Sequence, residues 1–231
     1  MKLKLAALAA LTWVGLSAAP QFYQLESALT IKSPTNPSWD YLTYDSSRDV
    51  VFIARRDDGI LIYDAKAKKI TGALEDSVGG NSTILIPEFD RAYVVRQDGK
   101  LLVYQLSTLK KTGVVEVGDN ADNAFYDAVT KQLLVTQGDS SQVTFVDAKT
   151  GATTGVLKID SESIEGSVAD GEGNFFTALR DKDKVIKIDA RKHTLAGEWA
   201  IGNHVKPNSV AFDTAGKRLF VTTRGPNAAL L

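Results

Sequence analysis

Arginine side chains recur at similar intervals along this 231-residue sequence, each directly after a short apolar segment. Amide and basic side chains recur ahead of neighbouring apolar segments. The two groups together are Arg55, Arg56, Arg96, Arg180 and Arg224, with Asn81, Asn123, Asn208, His204 and Lys206. Guanidinium and amide groups suit the oxygens of carboxylates and phosphates. The pattern predicts a binding face for an anionic ligand, provided that the fold brings both groups to one side.

Acidic residues interleaved with the arginines offer a second interpretation. The acids that follow the arginines, or the equivalent place in the repeat without one, are Asp57, Asp98, Asp139, Asp181 and Asp183. Each arginine could pair with such a neighbour and stay solvated, because isolated surface ion pairs are common and contribute little to stability. The sequence leaves both interpretations open.

Catalytic and metal-binding motifs are not found in the sequence. It has no cysteine, and its two histidines, His193 and His204, do not lie at a metal-ligand spacing. We therefore expect no catalytic residue, no metal and no cofactor. Five recurring aspartates precede short polar turns, where Asp bonds local backbone amides, and we expect that role for them rather than calcium binding. They are Asp45, Asp90, Asp127, Asp170 and Asp213.

Two regular markers define an internal repeat. A polar residue that ends an apolar segment recurs at Asp64, Gln105, Asp147 and Asp189, with spacings of 41, 42 and 42. A glycine recurs in phase with it at Gly72, Gly113, Gly155 and Gly197. Each period contains four short segments rich in β-branched and aromatic residues, separated by turn residues. This predicts an all-β fold, a β-propeller of four-stranded antiparallel blades, with about five blades in this chain.

Several segments resemble the YVTN-type (YncE-like) β-propeller repeat family. Residues 219–223 (LFVTT), 143–151 (VTFVDAKTG) and 206–212 (KPNSVAF) carry the resemblance, which extends over about residues 22–231. Residues 51–54 and 92–95 keep its apolar character but not its letters. The resemblance implies that the loops entering strand one and leaving strand two open on the same face. It says little about function, because this scaffold hosts many unrelated roles.

The N-terminus and the repeat together predict the organisation of the chain. Lys2 and Lys4 precede an apolar run over residues 5–16 and small residues up to Ala19, the order of a secretory signal peptide. We therefore expect a signal peptide over 1–19 and a propeller over 20–231. The predicted repeats lie near 39–81, 82–122, 123–165 and 166–208, with partial blades at 22–38 and 209–231. The partial blades could close a five-bladed ring; we favour a truncated seven-bladed protein, the blade number that the resemblance implies.

Export and the lack of a catalytic motif favour a non-catalytic binding or scaffold protein in the periplasm or outside the cell. We expect a monomer that holds a protein partner or a small anionic ligand on one propeller face, with no membrane contact beyond the signal peptide. A formal net charge of −1 argues against nucleic acid. The alternatives are a propeller enzyme of the lactonase or lyase type and an electron-transfer subunit like that of amine dehydrogenase. The question of enzymatic activity stays open.

Overall fold

A computed structural model describes residues 25–33 and 38–225. The chain divides into two compact units, Met1–Thr30 and Ile31–Leu231. Residues 25–30 of the first unit are in no strand or helix. The predicted signal peptide over 1–19 lies outside the described residues, as do the segments 20–24, 34–37 and 226–231.

The described part of the second unit contains eighteen strands and two short 3₁₀ turns, Pro87–Phe89 and Arg180–Lys182. The strands are β1 (Leu42–Asp45), β2 (Val50–Ala54), β3 (Ile60–Asp64), β4 (Lys69–Ala73), β5 (Gly80–Ile86), β6 (Arg91–Arg96), β7 (Lys100–Gln105), β8 (Lys110–Glu116), β9 (Asn123–Asp127), β10 (Gln132–Gln137), β11 (Gln142–Asp147), β12 (Thr153–Lys158), β13 (Ile164–Ala169), β14 (Asn174–Leu179), β15 (Lys184–Asp189), β16 (Thr194–Ala200), β17 (Pro207–Asp213) and β18 (Arg218–Thr223).

Consecutive strands pair into antiparallel sheets, as the repeat predicted. Four sheets have four strands each, in the orders β1-β2-β3-β4, β5-β6-β7-β8, β9-β10-β11-β12 and β13-β14-β15-β16. A fifth sheet contains, within residues 38–225, the strands β17 and β18. The first strand of each sheet contacts the first strand of the next, so β1, β5, β9, β13 and β17 form the inner layer. This is a β-propeller, and the predicted fold class is confirmed.

The hydrophobic core lies between neighbouring sheets. The middle strands are buried on both faces: the four residues 92–95 of β6 are all fully buried. Tyrosines connect the sheets, since the Tyr93 hydroxyl donates to the Ala148 carbonyl at 2.9 Å and the Tyr104 hydroxyl donates to the Glu75 carbonyl. The sequence of a middle strand covered on both faces is therefore a continuous apolar run rather than an alternation of apolar and polar residues.

Four of the five recurring aspartates bond the turn that follows them, as predicted. The backbone N–H donors are Ser47 for Asp45 (2.9 Å), Thr130 for Asp127 (2.8 Å), Glu172 for Asp170 (2.8 Å) and Ala215 for Asp213 (3.1 Å). Asp90 is the exception. Its carbonyl accepts the Leu106 N–H as the carbonyl of Asp49 accepts the Ala65 N–H, so Asp90 corresponds to Asp49 and not to Asp45. The 3₁₀ turn Pro87–Phe89 directly precedes Asp90 and places it at this later position of the repeat.

The described part of the predicted partial blade 22–38 contains no strand. Residues 25–33 and 38–40 are in no strand, and the side chains of Leu25 and Leu29 are 83% and 48% exposed. A two-stranded ribbon without an apolar surface to cover is marginal. At the other end, β17 begins two residues before the predicted partial blade 209–231, and β18 lies within it. Within the described residues, no helix is long and apolar enough to cross a bilayer.

The recurring glycines lie on the outer strands next to a shift in strand register. Gly72 pairs with Ile62, Gly113 with Val103 and Gly155 with Phe145, each directly before the shift. At Gly155 the space is filled by the ring of His193, which stacks on Phe145 with ring centroids 4.1 Å apart. His193 therefore packs against the core.

Gly155→Ala is expected to lower the free energy of unfolding by about 1 kcal/mol, because a Cβ would displace the His193 ring. Gly72→Ala is the matched control, since no atom lies within 4 Å of a Cβ built there. It is expected to leave stability unchanged or raise it by up to about 1 kcal/mol, through lower backbone entropy in the unfolded state. Urea denaturation of the two variants tests this. Equal midpoints would contradict the packing role of His193.

Candidate binding site at the channel mouth

Two equivalent positions in every sheet meet at one cavity of about 310 Å³. We call the residues next to the start of each first strand the inner set and those after each second strand the outer set. The strand registers align the inner set as Asp40, Asn81, Asp122, Glu165 and Asn208. They align the outer set as Arg56, Gln97, Gly138, Arg180 and Arg224. All ten line the cavity.

The inner strands continue below this mouth as a channel. A second cavity of about 470 Å³ is lined by residues 41–44, 82–85, 123–126 and 167–169 of β1, β5, β9 and β13 and the residues beside them. Tyr41 lines both cavities. The candidate site is therefore the mouth of the channel, at the end where the first strands begin.

Five of the ten residues expected at the binding face line the mouth, and five do not. Those present are Arg56, Arg180, Arg224, Asn81 and Asn208; those elsewhere are Arg55, Arg96, Asn123, His204 and Lys206. The fold therefore brings half of the predicted residues together at one cavity.

The displaced arginines differ from the outer set by one residue. Arg55 is 3% exposed, lies 4.4 Å from the Trp39 ring and pairs with Asp58 at 3.2 Å. Arg96 pairs with Asp98 at 2.8 Å and lines a separate surface groove. Because successive side chains of an extended strand point to opposite sides, the residue that lines the mouth in this sheet is the next one, Gln97.

The other three residues are held by local bonds. The Asn123 side chain is 6% exposed, and its Oδ1 accepts the Ala124 N–H at 2.8 Å. Lys206 lies in a turn at φ +59°, where its backbone N–H donates to Asp183. His204 lies in the same loop, and its N–H donates to the Ile201 carbonyl at 3.3 Å.

Carboxylates outnumber guanidiniums among the described residues of the mouth. The acids that line it are Asp40, Asp122, Asp139, Glu162 and Glu165, against three arginines. Arg56 binds Asp40 with Nε and Nη2 at 3.0 and 2.8 Å, and Arg180 binds Glu165 at 2.8 Å. The ion-pair interpretation of the sequence therefore applies to these two arginines, although their partners are in the inner set and not among the acids that follow them.

Asp122 is an acid of the mouth whose pKa is strongly raised. Burial is the largest effect, and with the nearby carboxylates of Asp40 and Glu165 it raises the pKa of Asp122 to about 6. Arg56 and a hydrogen bond from Tyr41 act in the opposite direction. Burial and the charge of Asp122 in turn raise the pKa of Tyr41 to about 12, so Tyr41 remains a proton donor to the carboxylate at neutral pH.

Arg224 and two amides have unused hydrogen-bonding capacity. Among residues 25–33 and 38–225 the exposed guanidinium of Arg224 has no acidic partner. Asn81 is 2% exposed and donates to the Ala121 carbonyl at 3.3 Å, but its Oδ1 accepts no bond from the described residues. The Oδ1 of Asn208 likewise accepts no hydrogen bond from the described residues. A buried polar atom without a partner costs about 1–3 kcal/mol, which a bound donor would recover.

Sequence reasoning missed Asp40, Tyr41, Gln97, Asp122 and Gly138. The repeat itself carried the signal for four of them, since the inner set recurs with spacings of 41, 41, 43 and 43 and the outer set with 41, 41, 42 and 44. Within the described part of the chain, no three His, Cys, Asp or Glu side chains are grouped closely enough to hold a metal ion.

Comparison with known proteins supports the fold and not a family. No protein-family model and no curated protein matches the chain. Among solved structures, the chain is similar to Kuenenia stuttgartiensis hydrazine synthase, with 17% identity over 89% of this chain and a TM-score of 0.70. It is also similar to a chain of the mitotic checkpoint complex, with 15% identity over 96% of this chain and a TM-score of 0.68. The chain spans 60% of the first of these and 69% of the second.

Proposed function

We propose that this chain is a non-catalytic propeller, periplasmic or secreted, that binds a small polar ligand at the channel mouth. The observation that carries the proposal is the cavity on which polar side chains from all five sheets converge. Small-ligand sites combine such a concave pocket with a few convergent polar groups. The location outside the cytoplasm rests on Lys2, Lys4 and the apolar run that follows them.

The size of the mouth favours a small ligand over a protein partner. Its 310 Å³ lies at the lower end of the range of about 300–1,000 Å³ found for ligand pockets. A stable protein partner would cover about 800 Å² on each side, far more than the mouth offers. The excess of carboxylates also favours a ligand with a positive group over the simple anion expected from the arginines alone.

Gly138→Gln is the variant that tests the site. Four of the five outer-set positions have long side chains, and the fifth is Gly138. A Cβ at Gly138 would meet its nearest neighbour, the Ile164 nitrogen, at 3.4 Å. The glutamine should therefore fit the fold and fill the mouth. Gly72→Gln, on the outer strand β4 with open space around it, is the matched control.

Titration calorimetry of the full chain with phosphate, succinate, putrescine, glycine and γ-aminobutyrate provides the measurement. We expect at least one of these probes to bind, with affinity reduced about tenfold or more by Gly138→Gln and unchanged by Gly72→Gln. Binding that is equal in all three proteins would place the ligand elsewhere and overturn the proposal, as would the lack of binding by every probe.

Asp122 favours a second candidate function, acid–base catalysis of the lactonase or lyase type. A carboxyl group with a pKa of about 6 that lies in a cleft and is hydrogen-bonded to Tyr41 has the properties of a general base. Incubation with a series of lactones tests this. Turnover that is lost in Asp122→Asn but kept in Asp160→Asn, an exposed acid outside the mouth, would establish catalysis in place of simple binding.

A further inference from the structure

We infer that the ligand of the mouth is a zwitterion, a small molecule with an ammonium group held at Asp122 and a carboxylate held at Arg224. The inference rests on the proposed function and specifies its ligand class. It follows from the charges of the inner and outer sets when these are compared sheet by sheet.

In three of the five sheets the inner and outer positions together carry no net charge. In the first and fourth sheets the inner acid is neutralised by the outer arginine, in the pairs Asp40–Arg56 and Glu165–Arg180. In the second sheet both positions are amides, Asn81 and Gln97. These sheets therefore supply polar surface with no net charge from their inner and outer positions.

The other two sheets each leave one charge without its counterpart. In the third sheet Asp122 stands against Gly138, which has no side chain to neutralise it. In the fifth sheet Arg224 stands against Asn208, which is neutral. Of the inner and outer sets, one carboxylate and one guanidinium without a counterpart thus face the same cavity from different sheets, and the carboxylates of Asp139 and Glu162 line it as well. A molecule with one charge of each sign would complement both.

Asp122 is suited to an ammonium group. Its carboxylate is half-buried and lines the mouth together with Tyr41. The neighbouring carboxylates Asp40 and Glu165 add negative potential, and the missing side chain at Gly138 leaves room. A positive group placed here would relieve the repulsion among the three acids.

Arg224 is suited to a carboxylate. Its guanidinium is exposed and presents a planar fork of donors that matches the two oxygens of a carboxylate. The acids that line the rest of the mouth would repel a ligand with negative charge alone. The carboxylate must therefore be accompanied by a positive group elsewhere in the same molecule.

Asn81 provides a separate indication that a hydrogen-bond donor enters the mouth. Its side chain is 2% exposed and lines the cavity, and its Oδ1 has no donor among the described residues. The inner set places Asn81 directly before Asp122 in the order of the sheets. An ammonium group carries three N–H donors and can serve both side chains at once.

The test is a comparison of ω-amino acids with singly charged molecules of matched length. Glycine, β-alanine, γ-aminobutyrate and ε-aminocaproate are titrated into the full chain by calorimetry, beside the corresponding alkylamines and alkyl carboxylates. We expect one length to bind best, about tenfold or more tighter than either singly charged analogue, because two charged contacts then act together. The best length reports the separation of the two charges.

Two variants assign the charges. Asp122→Asn is expected to weaken binding of the zwitterion about tenfold without weakening binding of the carboxylate analogue. Arg224→Gln is expected to weaken binding of the zwitterion about tenfold without weakening binding of the amine analogue. Asp160→Asn and Arg218→Gln, exposed residues that pair outside the mouth, are the matched controls and should change neither. Tryptophan fluorescence checks that each variant is folded.

The inference is overturned if no zwitterion exceeds its singly charged analogues, or if either variant leaves the best zwitterion unaffected. A carboxylate or an amine that binds alone and is excluded by Gly138→Gln would remove the zwitterion while the proposed function stands. Binding of no probe, or binding insensitive to Gly138→Gln, would remove both.

Discussion

Replacement of Tyr93 by alanine is expected to destabilise the propeller by about 3–5 kcal/mol, a larger effect than that of any substitution at the mouth. The Tyr93 side chain is fully buried in the cluster between the second and third sheets, beside Leu101, Leu133 and Val146. Truncation would leave a cavity in this cluster. It would also remove the hydrogen bond of 2.9 Å from the Tyr93 hydroxyl to the Ala148 carbonyl, a direct connection between the two sheets.

Two control variants separate these contributions in urea denaturation. Tyr93→Phe keeps the ring and loses only the hydroxyl, with an expected cost of about 1 kcal/mol. Tyr44→Ala removes a tyrosine that is 57% exposed and should cost less than about 1 kcal/mol. If Tyr93→Ala cost no more than Tyr93→Phe, packing between the sheets would not be the main source of stability.

Asp122→Asn is expected to stabilise the protein without ligand by about 2 kcal/mol at neutral pH. Burial and the carboxylates of Asp40 and Glu165 raise the pKa of Asp122 from 3.8 to about 6 in the folded state, against the opposing effects of Arg56 and Tyr41. A tenfold change in the acid dissociation constant corresponds to about 1.4 kcal/mol, and partial solvent exposure of the carboxyl reduces the total. Asparagine avoids this cost because it carries no charge.

The sign of the pH dependence follows from the raised pKa of Asp122. Between pH 3.8 and about 6 the unfolded state has already released the proton that the folded state still holds. The contribution of Asp122 to stability is therefore neutral below this window and becomes unfavourable as the pH rises through it. The stability difference between Asp122→Asn and the parent protein should grow from near zero at about pH 4 to its full value at about pH 7.

Denaturation midpoints measured across this pH range give the difference curve. Carboxylates distant from the mouth contribute equally in both proteins and cancel in the difference. Asp160→Asn, whose side chain is fully exposed, should give a flat curve. A flat curve for Asp122→Asn as well would show that the fold does not raise the pKa of Asp122. An increase in stability together with a loss of ligand affinity would identify Asp122 as a residue kept for binding at the expense of stability.

The fold could be predicted from the sequence because strands and turns alternate with a fixed period. The glycines at 72, 113, 155 and 197 lie at the same register shift on successive outer strands. Their spacing therefore equals the number of residues in one blade. The aspartates were less reliable, since the 3₁₀ turn Pro87–Phe89 moved Asp90 out of phase with Asp45. Markers in strands kept phase better than the marker next to this irregular turn.

The site was predicted less well, and errors of one residue account for much of this. Arg96 was expected where Gln97 lines the mouth, and Asn123 where Asp122 does. In an extended chain such a shift moves a side chain to the opposite side. The prediction followed residue type, arginine and asparagine, and the equivalent position in these sheets holds another type. Alignment by spacing alone would have placed both correctly.

The properties of Asp122 could not be predicted from local sequence. Its perturbed pKa depends on Asp40, Glu165 and Tyr41, which come from two other sheets, and its lack of an arginine partner depends on Gly138. Such a combination exists only once the sheets are assembled around the mouth. At the inner and outer positions, the same assembly turns a sequence with interleaved acids and arginines into two neutral pairs and two single charges.

The most direct test of the account is a crystal structure of the full chain with the tightest-binding ω-amino acid. We predict electron density for the ligand in the channel mouth, with its nitrogen about 2.7–2.9 Å from a carboxylate oxygen of Asp122 and its carboxylate at the same distance from the Arg224 guanidinium. A ligand bound at any other place on the propeller, or a mouth that stays empty at saturating concentration, would contradict it.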